Sequence, residues 1–225
     1  MLILSVDTSS AACSIVLSVD GKLEGEVNVE SEETHSVRLL PGIDTLLHGC
    51  GCSIKDVDAF AIVCGPGSFT GVRIGLTTVK GLAESLGKPT IPITAFEAWV
   101  EKFPEQQGIL VPLIDARRGE VYASVFSRNE ERVERWSPGR VEKVPELLAS
   151  IEHLQACFVG GGAAIYENLI VSRPGWRVLR SDLFLGRSVS QIAFRQAKRK
   201  SFTSAAELQA YYLRRPDAEL NWKQQ

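Results

Sequence analysis

One stretch, from Cys64 to Gly87, places the tightest limits on what this chain can fold into. The apolar run at 59–63 leads into it and predicts a buried strand. The Gly65–Gly67 turn must end that strand, and Ser68 can cap a following helix because its hydroxyl can accept a hydrogen bond from a free backbone amide. Gly87 is a suitable residue to end the helix. The stretch therefore predicts a strand, a glycine turn and a helix in immediate succession.

Two glycines, Gly71 and Gly75, lie one turn apart inside this predicted helix. Glycine costs about 1 kcal/mol relative to alanine in a helix interior, so the pair needs a reason, and close approach of another backbone is the natural one. The same face continues through Val79, Leu82 and Leu86. This face can pack on the chain's own sheet or receive a partner.

A glycine turn between a strand and a helix can also hold phosphate. The spacing of known phosphate loops is not met, because Thr70 stands where a P-loop or a dinucleotide fingerprint requires glycine. A nucleophile elbow is not matched either, since Pro66 stands at its first glycine position. The spacing favours a structural turn with a packing helix over a phosphate site.

Composition excludes several classes of function. The 225 residues suffice for one large or two small domains, and a net charge of −2 gives no electrostatic reason for the chain alone to bind RNA. The densest basic group, at 195–200, suits a solvated helix end. No apolar run has the length of a membrane span, and the first residues do not resemble a signal peptide, so we expect a cytoplasmic protein. The five cysteines are an odd number and form no paired motif, so they are expected to be free thiols.

Periodicity predicts an alternation of strands and helices. Strands are predicted at 2–6, 12–19, 22–30, 59–63, 90–93, 108–115, 121–126, 132–141, 157–159 and 177–179. Helices are predicted at 36–49, 68–86, 95–103, 145–150, 163–169, 186–200 and 205–213. This order indicates two α/β units of related layout, although no sequence repeat is visible between them. We expect the first subdomain at 1–103, regaining a C-terminal helix from 204–225, and the second at 104–203.

The central motif, GPGSFTGVRIG at 65–75, resembles the signature of the TsaB family. Further matches to that family are spread along nearly the whole chain, at Asp7–Ser9, Glu33–Ser36, Leu40–Pro41, Asp115–Arg117, Glu120–Tyr122 and Tyr212–Arg214. The proline usual before the last motif is replaced by Ala210. A motif of this length, together with six further matching segments, is not expected by chance.

The resemblance implies an α/β fold of the actin-like, duplicated ribonuclease-H-like kind with two subdomains. It implies a non-catalytic activator of TsaD, which transfers threonylcarbamoyl to the adenosine next to the anticodon (position 37) in tRNAs reading codons that begin with A. The implied partners are a TsaD homologue and the ATPase TsaE. A homodimer is expected when TsaD is absent, tRNA is reached only through the complex, and no membrane is involved.

The resemblance also implies two sets of site residues. A partner interface on the first two helices would use His35, Leu39, Ile43, Gly71, Val72, Gly75, Leu76, Val79 and Leu82. A degenerate nucleotide site would use Asp7, Thr8, Ser9, Gly65, Gly160, Gly161 and Gly162. No metal and no cofactor of its own is expected, although an adenine nucleotide at an interface of the complex is compatible with the fold.

Two alternatives assign an enzymatic activity to a protein of this fold. A glycoprotease-like metallopeptidase would need two histidines one helical turn apart, but those positions fall at Ala95 and Trp99, which cannot bind a metal. The histidines at 35, 48 and 153 are far apart in the sequence. A nucleotide-binding kinase or ATPase would use the acidic and glycine turns, which carry no lysine or second carboxylate with a clear catalytic role. The residues favour a regulatory subunit over a metallopeptidase, and a nucleotide-binding protein on the same fold is the alternative left open.

Overall fold

The computed structural model describes residues 1–31, 33–130 and 132–214. These fall into two compact units. The first unit comprises Met1–Lys102 and Leu183–Tyr211, and the second comprises Phe103–Asp182 with the described residues from Tyr212. The return to the first unit thus begins at Leu183, about twenty residues before the predicted return at 204.

Strands and helices alternate along the chain. The strands are β1 Leu2–Asp7, β2 Ala12–Val19, β3 Lys22–Glu30, β4 Ala59–Gly65, β5 Thr90–Thr94, β6 Gly108–Asp115, β7 Glu120–Ala123, β8 Phe126–Arg128, β9 Val133–Arg135, β10 Arg140–Lys143, β11 Ala156–Val159 and β12 Arg177–Leu179. The helices are α1 His35–Gly49, α2 Phe69–Leu86, α3 Ala95–Glu101, α4 Val144–Ser150, α5 Gly161–Ile165, α6 Glu167–Val171 and α7 Gly186–Lys198. A short 3₁₀ turn spans Ile54–Asp56. None of the helices in the described part of the chain is both long and apolar enough to cross a membrane.

The sheet of the first unit has the order β3-β2-β1-β4-β5. Strands β1, β2 and β3 are antiparallel, whereas β1, β4 and β5 run parallel. Alternate residues of β1 separate the two faces: Leu4 and Val6 join the core under α1 and α2, and Ser5 and Asp7 point to the other face. A parallel sheet must be covered on both sides, which this unit achieves with α1 and α2 on one face and α7 on the other.

Helix α7 belongs to the first unit, which corrects the predicted second subdomain at 104–203. The Gly186 amide donates a 3.0 Å hydrogen bond to the Ser14 hydroxyl, and the Ser190 hydroxyl donates one of 2.8 Å to Ser18. A side chain at Gly186 would overlap Ser14, so the helix begins in direct contact with β2. Small residues on both sides let α7 pack closely on this sheet, and chain order alone does not reveal that pairing.

The second unit repeats the layout of the first. Its path runs β10-β7-β6-β11-β12, with β8 paired to both β6 and β9. Strand β6 is antiparallel to β7 and parallel to β11, which in turn is parallel to β12. In this order β6 takes the place of β1, β7 that of β2 and β11 that of β4. The predicted duplication of an actin-like α/β layout is therefore confirmed.

Four predicted elements differ in the structure. The strand predicted at 121–126 is divided into β7 and β8, and the helix predicted at 163–169 is divided into α5 and α6. The strand predicted at 132–141 is divided into β9 and β10, because Pro138 and Gly139 interrupt it. The helix predicted at 205–213 is a short turn followed by a segment without regular secondary structure. Residues on both sides of the turn bond to the sheet: before it Thr203 bridges Thr90, and after it the Tyr211 amide donates a 2.8 Å hydrogen bond to the Cys64 carbonyl oxygen. The remainder of the predicted C-terminal helix, 215–225, lies outside the described residues.

Candidate functional site

The turn that follows β1 is held against the start of α2. The Thr8 hydroxyl donates a 2.8 Å hydrogen bond to the Gly71 carbonyl oxygen, and the Ser68 amide donates one of 2.7 Å to the Ser9 carbonyl oxygen. Ser68 also caps α2 as predicted, since its hydroxyl accepts a 3.2 Å hydrogen bond from the Gly71 amide. The GPGSFTGVRIG motif at 65–75 and the Asp7–Ser10 turn are therefore one structural feature.

The glycines of α2 permit this contact. A Cβ at Gly71 would overlap the Thr8 carbonyl oxygen, and a Cβ at Gly75 would overlap the Thr8 hydroxyl and lie 3.1 Å from Ile62. At Gly81, on the same helix, a Cβ would meet open space. The close approach that the two glycines predicted is real, but the approaching segment belongs to the chain's own β1–β2 turn.

His35 fastens the start of α1 to the same turn. Its Nε2 lies 2.8 Å from the Ser10 carbonyl oxygen, which can only accept, so Nε2 carries the proton. Its Nδ1 then accepts a hydrogen bond of 3.0 Å from Arg38 Nη2. Burial, together with the Arg38 charge, lowers the pKa of His35, which favours this neutral form. The histidine is thus a buried structural residue.

These contacts correct the predicted partner interface. Eight of its nine residues are buried in the first unit, and the ninth, Leu82, packs partly buried against the same core. The buried ones are His35, Leu39, Ile43, Gly71, Val72, Gly75, Leu76 and Val79. They form the inner stripes of α1 and α2, and a partner cannot reach them without displacing the sheet.

The outward faces of the same helices carry other apolar residues. Val37 and Leu40 on α1 are 60% and 53% exposed, and Phe69 at the start of α2 is 36% exposed. The Arg73 guanidinium stacks 3.8 Å from the centre of the Phe69 ring. Val37 and Leu40 were expected on the apolar stripe of α1, and neither they nor Phe69 were assigned to the interface. Adjacent residues such as Leu39 and Leu40 point in different directions from a helix, so only one of the two can lie in the core.

Asp7 is the most perturbed acid of the described site. It is fully buried, and burial raises its pKa to about 6 even though its hydrogen bonds with Ser9 favour the charged form. The Ser9 amide donates a 2.8 Å hydrogen bond to Oδ1, whereas Oδ2 has no hydrogen-bond partner among the described residues. A buried carboxylate with one unsatisfied oxygen is costly at neutral pH.

The predicted nucleotide residues are divided between the two units, and several of them make close contacts within their own unit. Asp7, Thr8, Ser9 and Gly65 lie in the first unit, and Gly160–Gly162 lie in the second. A Cβ at Gly65, whose φ is 115°, would lie 2.8 Å from the Tyr211 carbonyl oxygen. The backbone of the C-terminal segment therefore lies directly against Gly65 at the start of the β4–α2 turn.

In the second unit the glycines have a packing role. A Cβ at Gly160 would overlap the Leu113 carbonyl oxygen, and one at Gly162 would lie 3.0 Å from the same group. The turn after β11 thus approaches the backbone of β6 closely, as the turn after β4 approaches Ser9 and Tyr211 in the first unit.

The two positions to which the resemblance assigns the histidines of a metallopeptidase do not fit a metal. Ala95 and Trp99 lie in α3 and are 1% and 5% exposed, and neither side chain can coordinate a metal ion. Within the described residues, no group of three or more histidine, cysteine, aspartate or glutamate side chains is placed to bind a metal. The five cysteines are free thiols.

Comparison with known proteins agrees with the arrangement of these elements. A family model described as "TsaD: tRNA N6-adenosine threonylcarbamoyltransferase" matches residues 22–219. The tRNA threonylcarbamoyladenosine biosynthesis protein TsaB of Haemophilus influenzae is 34% identical over 99% of this chain and 96% of its own length. The TsaB protein of Bacillus subtilis (strain 168) is 29% identical over 99% of this chain and 98% of its own length.

Solved structures show the same relationship. The structure "YeaZ from Pseudomonas aeruginosa" superposes with a TM-score of 0.79 at 27% identity, covering 94% of this chain and 99% of that chain. A putative N-acetylmannosamine kinase from Listeria monocytogenes, at 10% identity and a TM-score of 0.51, shares the fold alone. By sequence and fold together, the chain belongs to the TsaB (YeaZ) family.

Proposed function

We propose that the chain is a non-catalytic partner subunit that activates a TsaD homologue in threonylcarbamoyl transfer to the adenosine next to the anticodon of tRNAs reading codons that begin with A. The names of its TsaB relatives and the match to the TsaD family model support the general role in this modification. The residues at Ala95 and Trp99 support a role without metal chemistry, since neither can be a ligand.

The observation that carries the partner role is the outward face of α1 and α2. These helices lie side by side, and their inner stripes already bury a full apolar core. Val37, Leu40 and Phe69 nevertheless remain exposed on the outside. Exposed apolar side chains mark a protein interaction site where they form a contiguous patch, and we propose that these three residues do so. We place the contact with the TsaD homologue on this outer face, and the same face closes a homodimer when the partner is absent.

The remaining parts of the proposal concern the rest of the system. TsaE is the ATPase that completes the complex, and tRNA is bound through the complex rather than by this chain alone. The chain works in the cytoplasm without a cofactor of its own. An adenine nucleotide would bind at an interface of the complex, since the Tyr211 backbone lies directly against Gly65 within the first unit.

Co-purification tests the partner role. The tagged chain and the TsaD homologue of the same organism are expected to elute together from size exclusion, with a mass by light scattering equal to a complex of both. Leu40→Glu should abolish that complex, because it places a charge in the apolar contact. Leu169→Glu is the matched control, because Leu169 is a similarly exposed leucine (51%) on α6 of the second unit.

Circular dichroism must show both variants folded. A complex that survives Leu40→Glu with undiminished affinity would refute the placement of the contact. A wild-type chain that never associates with the TsaD homologue would refute the partner role itself.

A further inference from the structure

The turn between β6 and β7 holds two arginines in an unusual backbone conformation. Arg117, Arg118 and Gly119 have φ values of 65°, 56° and 75°. The left-handed region suits glycine and, to a lesser degree, asparagine, but it is disfavoured for long side chains. Tight hairpin turns of this kind normally use Asn-Gly or Gly-Gly. Two successive arginines at these positions are therefore not explained by the needs of the turn.

Several hydrogen bonds hold the hairpin in place. The Arg117 amide donates a 2.9 Å hydrogen bond to Asp115 Oδ1, and the Ala116 and Glu120 amides close the turn with bonds of 3.0 Å. Arg214 braces its base, because it pairs with Glu120 and donates a 3.1 Å hydrogen bond to the Ala116 carbonyl oxygen. The tip is fixed by this framework rather than free to relax.

The two arginines of the tip are exposed residues. Arg117 is 88% exposed along its side chain, and its Nε lies 3.8 Å from Asp115 Oδ2. Arg118 is exposed as well. The corresponding turn of the first unit, after β1, makes the same kind of bond from the Ser9 amide to Asp7 Oδ1, but it is buried and carries no cation. Only the second copy of this turn is basic and accessible.

We infer that the Arg117–Arg118 hairpin contacts the phosphate backbone of tRNA when the chain is part of its complex, an inference that rests on the proposed function. A guanidinium presents a planar fork of donors that matches a phosphate group. Residues held in sparsely populated backbone conformations cluster at functional sites. Two phosphate contacts position an RNA without selecting its sequence, and they are too few for tight binding by a chain whose net charge is −2.

The test uses the assembled complex and a transcribed tRNA that reads a codon beginning with A. The double variant Arg117→Asn/Arg118→Asn removes both charges and places a residue that tolerates the left-handed region. The complex should lose about tenfold in tRNA affinity, and the slope of log affinity against log salt should fall by about 1.4–1.8 for two lost contacts. The melting temperature of the variant chain should be unchanged or higher. Arg132→Asn, at an exposed arginine of the same unit paired with Glu134, should leave affinity and slope unchanged.

Three results would overturn the inference. The first is an intact complex that binds tRNA with the same affinity and salt slope in the double variant. The second is loss of the protein complex alone, which would assign the arginines to an acidic surface of the partner. The third is loss of binding to free adenine nucleotide with tRNA binding unchanged. A wild-type chain that forms no complex with the TsaD homologue would instead remove the proposed function and this inference with it.

Discussion

Thr8 and Gly71 lie 63 residues apart, and the Thr8 hydroxyl donates a 2.8 Å hydrogen bond to the Gly71 carbonyl oxygen. This contact joins the first turn of the sheet to the first turn of α2. It is possible because Gly71 and Gly75 carry no side chain, so the helix lies directly on the turn. The glycines of the family motif therefore stabilise the fold of the first unit, and they do not form an open groove.

Gly75→Ala should destabilise the protein although alanine favours helices. Its Cβ would overlap the Thr8 hydroxyl and crowd Ile62, and overpacking of this kind costs about 1–3 kcal/mol. The control is Gly81→Ala, which adds the same Cβ in open space on the same helix and should stabilise by about 1 kcal/mol. Urea unfolding of both variants measures the difference. Equal effects of the same sign would contradict the close contact.

Leu39 and Leu40 provide a second pair of matched substitutions. Leu39 is 1% exposed in the core and Leu40 is 53% exposed on the outer face. Leu39→Ala should lower the free energy of unfolding by about 2–5 kcal/mol, whereas Leu40→Ala should change it by less than about 0.5 kcal/mol. Thermal and urea unfolding would show the contrast, and comparable losses at both positions would refute the assignment of inner and outer faces.

Asp7→Asn should change stability in a pH-dependent way. The folded protein raises the Asp7 pKa to about 6 from an ordinary value of 3.8, so between these values it retains a proton that the unfolded chain has released. This contribution to stability is complete below pH 3.8 and is lost as pH rises through 6. Asparagine does not titrate and keeps an oxygen that can accept from the Ser9 amide.

The stability of Asp7→Asn relative to wild type should therefore increase between pH 4 and pH 8, by about 3 kcal/mol for a shift of this size. Urea unfolding at pH 4, 6 and 8 measures this difference, and titrations shared by both proteins cancel in it. A difference that stays constant over this range would show that the buried Asp7 charge is compensated in the folded protein.

The metal content of the purified protein tests whether the chain lacks a metal-binding site. Protein purified without added metal should contain no stoichiometric zinc or iron by elemental analysis, because Ala95 and Trp99 stand at the positions where a metal-binding relative would need histidines. It should also cleave no peptide or glycoprotein substrate. One equivalent of either metal, retained after dialysis against a chelator, would contradict the account.

The strongly local features of the fold were predictable from the sequence. The strand, turn and helix around Gly65 follow from apolar runs and caps, and Ser68 and Gly87 cap α2 as expected, the latter with φ 61°. The paired layout of the two units also followed from the order of strands and helices. Each of these depends on residues close together in the chain, where propensity and capping determine the structure.

Contacts between segments distant in the sequence could not be predicted from local residue patterns. The pattern around Gly71 required a close neighbour, but it could not distinguish Thr8 of the same chain from a partner. Likewise, the apolar residues at 205–213 predicted a helix, whereas in the structure Ala205 and Leu208 enter the core from a turn and Tyr211 bonds to β4. The wrong partner for Gly71 and the wrong helix at 205–213 have the same cause. Contacts with segments distant in the sequence decide the structure at both places, and local residue patterns do not contain those contacts.

The rate of tRNA modification tests the central claim most directly. The TsaD homologue, its threonylcarbamoyl-adenylate substrate and a transcribed tRNA are incubated with no added subunit, with the wild-type chain or with Leu40→Glu, and modified adenosine is quantified by mass spectrometry. The account predicts efficient modification only when the TsaD homologue is combined with the wild-type chain. The chain without the TsaD homologue should modify no tRNA. With Leu40→Glu, the rate should be close to that of the homologue alone. Modification by the isolated chain, or a TsaD homologue equally active without it, would contradict the account.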